Sequence, residues 1–170
     1  MGMTAPLELD EKFAFITTMR SYYENHIPFL NLGTVLKKEP SDYWVCIQPR
    51  CDCVRITSTR VFPFLPLTST ESGKKFRFVL QDNGQHIRMS LSEKLYQVKL
   101  LEFSSNGKSA INAENKEGHY YFRDTNNNEY KWLGELRTDQ SQRLVHQFAT
   151  AVSRIGLNES EWLRLWAERG

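Results

Sequence analysis

Several features that would assign an activity at once are missing from this chain. No apolar run approaches the roughly 20 residues that span a bilayer. The N-terminal residues, MGMTAPLELDEKF, contain neither the basic region nor the apolar region of a signal peptide. There is no glycine-rich phosphate loop, no H-E-x-x-H and no G-x-S-x-G. These absences predict a cytoplasmic protein without a membrane span, and they leave no common catalytic motif.

Net charge and cysteine are also scarce. The net charge of +2 is too small to predict a nucleic-acid partner, although residues 50–100 carry nine Lys and Arg against four Asp and Glu. That basic segment is either a groove or a set of solvated strand faces. Three cysteines cannot all pair, so free thiols in a reducing compartment are expected.

The chain does contain enough apolar and aromatic residues to form one hydrophobic core. Its 170 residues are a usual length for a single domain, and 40% of them are hydrophobic and 12% aromatic. Large rings supply the burial that offsets chain entropy. We therefore predict one domain over residues 1–170. Met1-Gly2 ahead of a second methionine resembles a cloning remnant, which predicts a piece of a longer protein.

The hydrophobic period changes twice along the chain. Helical spacing after the capping residue Asp10 predicts a helix over residues 10–26, with Phe13, Ile16 and Tyr23 in its apolar stripe. Alternation over residues 32–134 predicts about seven short antiparallel strands, and the hairpin HYYFRDTNNNEYKWL is the clearest pair. In contrast, two prolines in RVFPFLPL predict an edge strand or a covering segment.

The tail, residues 138–169, is predicted to be a pair of helices. Thr138 can cap the first, and Gly156 stands where a left-handed residue commonly ends a helix. Trp162 and Trp166 in the second would fill the core or dock a partner helix. The predicted class is α+β: a small antiparallel β-barrel or curled sheet with an N-terminal helix and a C-terminal helical pair.

All three cysteines lie in YWVCIQPRCDCVRI, residues 43–56. Their C-x4-C-x-C spacing differs from the paired units of structural zinc sites, and the four histidines stand at no telling spacing, so neither a metal nor a cofactor is predicted. Cys46 lies mid-strand, where a free cysteine packs as a small hydrophobe. Cys51 is also expected to be a buried core residue rather than a nucleophile, because a nucleophilic thiol needs a nearby base.

The Gln48-Pro49 break places polar groups at a strand end, where sites are often built. Asp52 can accept backbone hydrogen bonds there, and Arg55 could pair with it. A buried structural turn and a ligand-facing loop are both consistent with this pattern. The candidate binding residues are Gln48, Cys51, Asp52 and Arg55, and no catalytic residue is predicted.

Two patterns keep nucleic acid among the alternatives. In a nuclease of the PD-(D/E)xK type, Asp52 would be the metal carboxylate and Gln97–Lys99 a degenerate second motif, although Gln in place of Glu weakens a cation site. In KKFRF, residues 74–78, rings and cations interleave as on a stacking surface. On an alternating strand, however, rings and cations fall on opposite faces, which favours rings inward and charges solvated.

The stretch YWVCIQPRCDCVRI, followed by FPFLPL and later by RLVHQFATAVSRIGLNESEWLR, resembles a group of poorly characterised bacterial proteins. In that group an apolar strand ends in a similar Gln-Pro-x-Cys-Asp or Ser-x-x-Cys-Asp signature. The group is associated with receiver-like proteins encoded beside histidine-kinase-like ATPases, in operons suspected of anti-phage roles. The resemblance covers roughly residues 13–164, supplies no catalytic residues, and does not extend to a receiver domain.

The resemblance implies a bacterial cytoplasmic module of signalling or antiviral defence, associated with response regulators. Its partner would be a protein, either the histidine-kinase-like ATPase or an effector. We therefore expect a non-catalytic binding or effector-control module that uses the loop from Gln48 to Arg55 as its contact surface. The alternative is a nuclease-like toxin or a thiol-dependent hydrolase centred on Asp52 or Cys51.

Overall fold

The computed structural model describes the backbone of residues 7–23, 25–71, 74–92 and 97–167, and the side chains of residues 9–23, 25–71, 74–92 and 97–153. Within these ranges, one helix at each end flanks a nine-stranded antiparallel sheet that curls as a half-barrel. The predicted α+β class is confirmed. The elements are α1 Leu7–Thr18, β1 Thr34–Lys38, β2 Asp42–Cys46, β3 Thr59–Ser69, β4 Phe78–Asp82, β5 Gln85–Leu91, β6 Lys99–Ser104, β7 Glu114–Lys116, β8 His119–Arg123, β9 Glu129–Glu135 and α2 Thr138–Ala167.

The strands run in the order β4-β5-β3-β2-β1-β9-β8-β7, and β6 pairs with the first half of β3. The predicted aromatic hairpin is confirmed as β8 and β9, which pair Arg123 with Glu129 across a turn where Asn127 has a positive φ of 62°. An asparagine tolerates that backbone better than most residues. Strand β1 runs from one end of the paired strands to the other. A buried cluster of charged side chains lies near each end of β1.

The prediction that the RVFPFLPL segment is an edge strand or a covering segment is wrong. Strand β3 is central, because β2 lies on one side and β6 and β5 lie on the other. In an antiparallel strand the N and the C=O of a residue point to the same side. The carbonyl of Pro63 accepts from Ile47 just beyond the β2 ladder, and the carbonyl of Pro66 accepts from Ser92 in the gap between β6 and β5. Each proline nitrogen therefore points toward a residue just beyond the end of the neighbouring ladder. The missing N–H removes no hydrogen bond from within a ladder.

Alternating side chains of the central strands fill two cores, one on each face of the sheet. On β1, Val35 and Leu36 are both fully buried but belong to different cores. On β3, Phe64 and Leu65 divide in the same way. The first core includes the ring of Phe103, which contacts four other aromatic rings: Phe62, Phe64, Phe122 and Tyr130. The second core contains Met19, Phe78, Met89, Leu136 and Leu144.

The first helix differs from its prediction. It ends at Thr18 rather than near residue 26, because Met19 pairs with Leu136 and the amide of Arg20 donates to the carbonyl of Glu135. The predicted apolar stripe is also on the wrong face. Phe13 is 69% exposed and Ile16 66% exposed, whereas Met19 is 4% exposed. The chain after α1 therefore runs beside the end of β9 in extended form.

The tail is one continuous helix rather than the predicted pair. Helix α2 passes through Gly156 without ending there, and one glycine costs a helix interior only about 1 kcal/mol. Its early turns contact the body through Ser141 and Leu144, which are buried. The side chains of Trp162 and Trp166 lie outside the described residues. In the described part of the chain, no helix has the length and apolarity that a membrane crossing needs.

A buried ion cluster lies at the far end of β1. The Nζ atoms of Lys37 and Lys131 lie 2.9 and 2.7 Å from the two carboxylate oxygens of Asp82, and all three side chains are at most 10% exposed. Asp82 ends β4, whereas the lysines are paired residues of β1 and β9. This Asp82 cluster (Lys37, Asp82 and Lys131) therefore ties the outer strand β4 to the middle of the sheet.

Gly33, just before β1, lies close against the first turn of α2. Its φ is +88°, and a Cβ atom there would lie 2.3 Å from Ser141 Oγ and 3.1 Å from the Leu136 carbonyl oxygen. Gly84 has a similar φ of +79° but open space around the Cβ position. Both alanine variants bear the backbone strain, and only Gly33→Ala adds a clash. We expect Gly33→Ala to lose about 1–3 kcal/mol more unfolding free energy than Gly84→Ala, measured by urea denaturation.

Candidate functional site

The segment after β2 forms a tight loop fixed on several sides. Residues 50–53 make one 3-10 turn, in which the amide of Asp52 donates to the carbonyl of Pro49 at 3.0 Å. The buried thiol of Cys53 lies 3.2 Å from the same carbonyl oxygen. The side chain of Arg60, on β3, donates to the carbonyl of Asp52. The 48–55 loop therefore presents a defined shape, since its backbone is bonded to itself and to the sheet.

Three of the four predicted binding residues come together in this loop. The Nε2 atom of Gln48 donates to Asp52 Oδ2 at 3.3 Å, and the Sγ atom of Cys51 lies 3.7 Å from Asp52 Oδ1. Arg55 is exposed, with a φ of 59°. The ion pairs between described residues do not include the predicted pair of Arg55 with Asp52. Arg60 approaches Asp52 instead, at its backbone carbonyl.

The three cysteines have different surroundings. Cys46 is fully buried, as expected for a cysteine that packs as a small hydrophobe, and burial raises the pKa of its thiol far above the usual range. Burial also raises the pKa of Cys53 to about 12. The prediction that Cys51 is a core residue is wrong, because the 3-10 turn points it outward and leaves it exposed.

Thiol labelling should separate these cysteines. In the native protein, we expect a disulfide reagent to label Cys51 rapidly and to leave Cys46 and Cys53 unlabelled until the protein unfolds, because both are buried and protonated. The measurement is the number of thiols titrated before and after addition of urea. Cys51→Ser is the matched control and should abolish the rapid phase alone. A rapid phase that survives in this variant would contradict the burial of the other two.

The described residues contain no group of three or more His, Cys, Asp or Glu side chains that could coordinate a metal ion. Lys99, from the degenerate nuclease motif, is directed elsewhere: its Nζ lies 4.8 Å from the centroid of the Trp44 ring. The nuclease pattern therefore does not assemble around Asp52 in this part of the chain.

The basic segment around KKFRF is arranged as alternation favours. Phe78 is 1% exposed, while Lys74, Lys75 and Arg77 are exposed. Arg88 is buried, and its Nε lies 2.9 Å from a carboxylate oxygen of Glu11 on α1. The ring of Phe78 thus faces inward while that of Phe76 is half-buried, and Arg88, another cation of the basic segment over residues 50–100, is part of the interior.

A second buried carboxylate lies at the end of β1 nearest the loop. Glu135, at the end of β9, has a side chain only 5% exposed, and its oxygen atom Oε1 accepts from Arg20 Nη1 at 2.8 Å and from Arg50 Nη2. Its other oxygen, Oε2, accepts from the Tyr22 hydroxyl and from Asn31 Nδ2 at 3.1 Å. This Glu135 cluster (Arg20, Tyr22, Asn31, Arg50 and Glu135) joins four separate segments of the chain.

The tyrosine and the asparagine of the cluster are fixed as donors. Burial, followed by the hydrogen bond to Glu135, raises the pKa of Tyr22 far above its usual range, so the phenol keeps its proton at neutral pH. Asn31 is fully buried, and its Oδ1 accepts from Arg50 Nε at 3.3 Å. Arg50 thereby contacts both Glu135 and Asn31 and positions the start of the 48–55 loop.

Every member of the Glu135 cluster except the buried Asn31 lines an open cleft of about 580 Å³, with Glu135 at its floor. One wall is aromatic, since the rings of Tyr22 and His26 stack with centroids 4.3 Å apart and an interplanar angle of 14°. Phe29 and Val54 add apolar surface, and Val54 belongs to the loop. The full described lining of this Glu135 cleft is Arg20, Ser21, Tyr22, Tyr23, Asn25, His26, Phe29, Arg50, Val54 and Glu135.

The sequence interpretation missed the Glu135 cluster. Arg20 and Tyr22 fall within the helix predicted over residues 10–26, but the observed helix ends before them. One signal was available. Glu135 lies in YKWLGEL, directly after the predicted β region and beside Leu136, and a carboxylate buried there needs cationic partners. The partners themselves come from segments 85 to 115 residues away in sequence, which no local pattern links.

Comparison with known proteins leaves this site without an assigned role. The chain matches no protein-family model, no curated protein sequence and no solved structure.

Proposed function

We propose that this protein is a non-catalytic binding module that controls an effector or partner protein in a bacterial signalling or anti-phage system. Its contact surface is the 48–55 loop together with the adjoining Glu135 cleft. The bacterial context rests on the resemblance described above. The partner is a protein, either a histidine-kinase-like ATPase or the effector itself.

The observation that carries the proposal is the position of Arg50. It begins the 3-10 turn of the loop, and its guanidinium reaches the buried Glu135 at the floor of the cleft. Because this contact fixes the loop against the cleft, the two form one preformed surface. A preformed surface binds without the entropic cost of ordering a flexible loop.

The surroundings of Cys51 and Asp52 favour binding over catalysis. Both side chains are exposed, and their side-chain contacts are with each other and with Gln48. Among the described residues, no histidine hydrogen-bonds to either one, so neither a thiol-base pair nor a base for water activation is assembled there. Exposed polar groups on a rigid loop suit a contact surface instead.

Turnover assays distinguish the binding module from the enzyme. Wild-type protein is incubated with RNA and DNA in Mg²⁺ or Mn²⁺, and with ester and peptide substrates. Asp52→Asn and Cys51→Ala are the matched controls. We expect no cleavage that either substitution abolishes, and we expect Cys51→Ala to keep its partner. Cleavage of any substrate by wild type, lost in Asp52→Asn or Cys51→Ala, would overturn the proposal in favour of a nuclease or hydrolase.

A further inference from the structure

The Glu135 cleft has hydrogen-bond donors left over on its floor. A carboxylate has about four acceptor positions, and Arg20, Tyr22, Asn31 and Arg50 supply four donors to Glu135. Its acceptor capacity is therefore filled. In the hydrogen bonds between described residues, Arg20 uses Nη1, whereas Arg50 uses Nε and Nη2. A guanidinium has more N–H groups than these bonds use, so both arginines retain donors.

The cleft also has a surplus of positive charge. Two guanidinium groups face one carboxylate, and Glu135 is the only acidic residue in the described lining. The side chains of Arg20 and Arg50 are 43% and 37% exposed, so the surplus charge is accessible from the cleft. Because Glu135 anchors both guanidinium groups, they are held before any ligand arrives. This arrangement suits an anion that takes the remaining donors.

Among the described lining residues the surplus is one positive charge, and its size determines which anion fits. A single carboxylate matches it. A doubly charged phosphate would bring a second negative charge close to Glu135, and like charges at short range in a partly buried site repel strongly. The charge balance therefore favours a carboxylate over a phosphate.

The walls of the cleft define what the anion should be attached to. The stacked rings of Tyr22 and His26 give a flat face, and Phe29 and Val54 give apolar surface beside it. A volume of about 580 Å³ accommodates a side chain as large as phenylalanine together with its carboxylate. The combination of apolar walls and a few fixed polar groups is typical of ligand clefts.

We propose that the Glu135 cleft binds a carboxylate next to an aromatic or aliphatic side chain of the partner protein, with Arg20 and Arg50 as its donors. This inference rests on the proposed function and names the group that the binding module recognises. The carboxylate is that of a chain terminus whose last residue is apolar.

The test uses three small probes that share a phenyl ring. N-acetyl-L-phenylalanine has the carboxylate, N-acetyl-L-phenylalaninamide is matched in size but carries a neutral amide instead, and phenyl phosphate is a smaller aromatic dianion. Each is titrated into the ¹⁵N-labelled protein while the backbone amide and arginine Nε–H signals are followed by NMR. We expect saturable shifts at Arg20, Arg50 and Val54 with the acid, and binding at least about tenfold weaker with the amide and with phenyl phosphate.

Variants keep the test decisive. Arg50→Gln and Arg20→Gln should each weaken the acid about tenfold or more, whereas Arg123→Gln, the same charge change at an exposed site on β8, should not. Arg20→Gln, whose side chain is more exposed than that of Arg50, serves if Arg50→Gln disturbs the loop. Equal binding of acid and amide, tighter binding of phenyl phosphate, or acid binding that survives both arginine substitutions would each overturn the inference. Loss of acid binding in Arg123→Gln would do the same, because it would indicate a general charge effect.

Discussion

Asp82→Asn should lower the free energy of unfolding by about 3–5 kcal/mol. The substitution removes the shared counter-charge of Lys37 and Lys131, whose side chains are each 10% exposed. Breaking a buried ion pair on one side leaves poorly compensated charge, and here it leaves two like charges on paired residues of β1 and β9. Lys37 keeps only the exposed Glu39, 3.1 Å away, as a counter-charge. The measurement is urea denaturation followed by tryptophan fluorescence. Glu71→Gln, which removes an exposed pair with Lys74, should have little effect.

The same variant has a predicted pH signature. Burial alone would raise the pKa of Asp82, but the hydrogen bonds and charges of Lys131 and Lys37 outweigh it and lower that pKa below the usual range. Its contribution to stability is therefore present above the unfolded-state pKa of about 3.9 and is lost as pH falls through the lower folded-state value. The difference between wild type and Asp82→Asn should shrink below about pH 4. A difference that is constant from pH 7 to pH 3 would contradict this account.

Glu135→Gln should cost about 3 kcal/mol of unfolding free energy, the lower end of the range for breaking a buried ion pair. Arg20 and Arg50 lose their counter-charge, but they are about two-fifths exposed, so water partly replaces it. Tyr22 and Asn31 also lose a charged acceptor, because an amide offers only one oxygen to the donors of the cluster.

A matched control lies on the same strand. Glu129 also receives two cations, Lys116 and Arg123, but its side chain is 40% exposed. Glu129→Gln should therefore change stability much less than Glu135→Gln. Amide exchange in segments 20–22, 31 and 50–55 provides a second measurement. If Glu135→Gln leaves exchange there unchanged, the cluster does not fix the loop.

The sequence predicted the elements whose residues repeat with a local period. The aromatic hairpin is one case, because alternating rings and an asparagine-rich turn lie within one short segment. Helix α1 is the contrary case. Its period continues through Phe13, Ile16 and Tyr23, but tertiary contacts of Met19 and Arg20 with the end of β9 stop the helix at Thr18. A local period contains no information about a competing hydrogen bond to a strand more than a hundred residues away in sequence.

The candidate site was predicted only in part, for the same physical reason. The Gln48-Pro49 break located the loop, because proline and a strand end are local signals. The Glu135 cleft required Arg20, Asn31 and Arg50 to meet one carboxylate, and those contacts span 104 residues in the case of Asn31 and 115 in the case of Arg20. The cysteines that mark the stretch have other roles: two are packed inside, and the third is exposed.

Site-specific photo-crosslinking in cells of the natural host tests the central claim most directly. A benzophenone side chain is placed at Cys51 or at Arg55, both exposed on the loop, and as a control at Gln85, exposed beside the Asp82 cluster. The binding-module account predicts one discrete crosslinked protein from both loop positions and none from Gln85. It also predicts a weaker crosslink when Arg50→Gln is added. Loop crosslinks without binding of N-acetyl-L-phenylalanine would leave the module intact and remove only the carboxylate inference. No crosslink from the loop, or equal crosslinks from Gln85, would contradict the central claim.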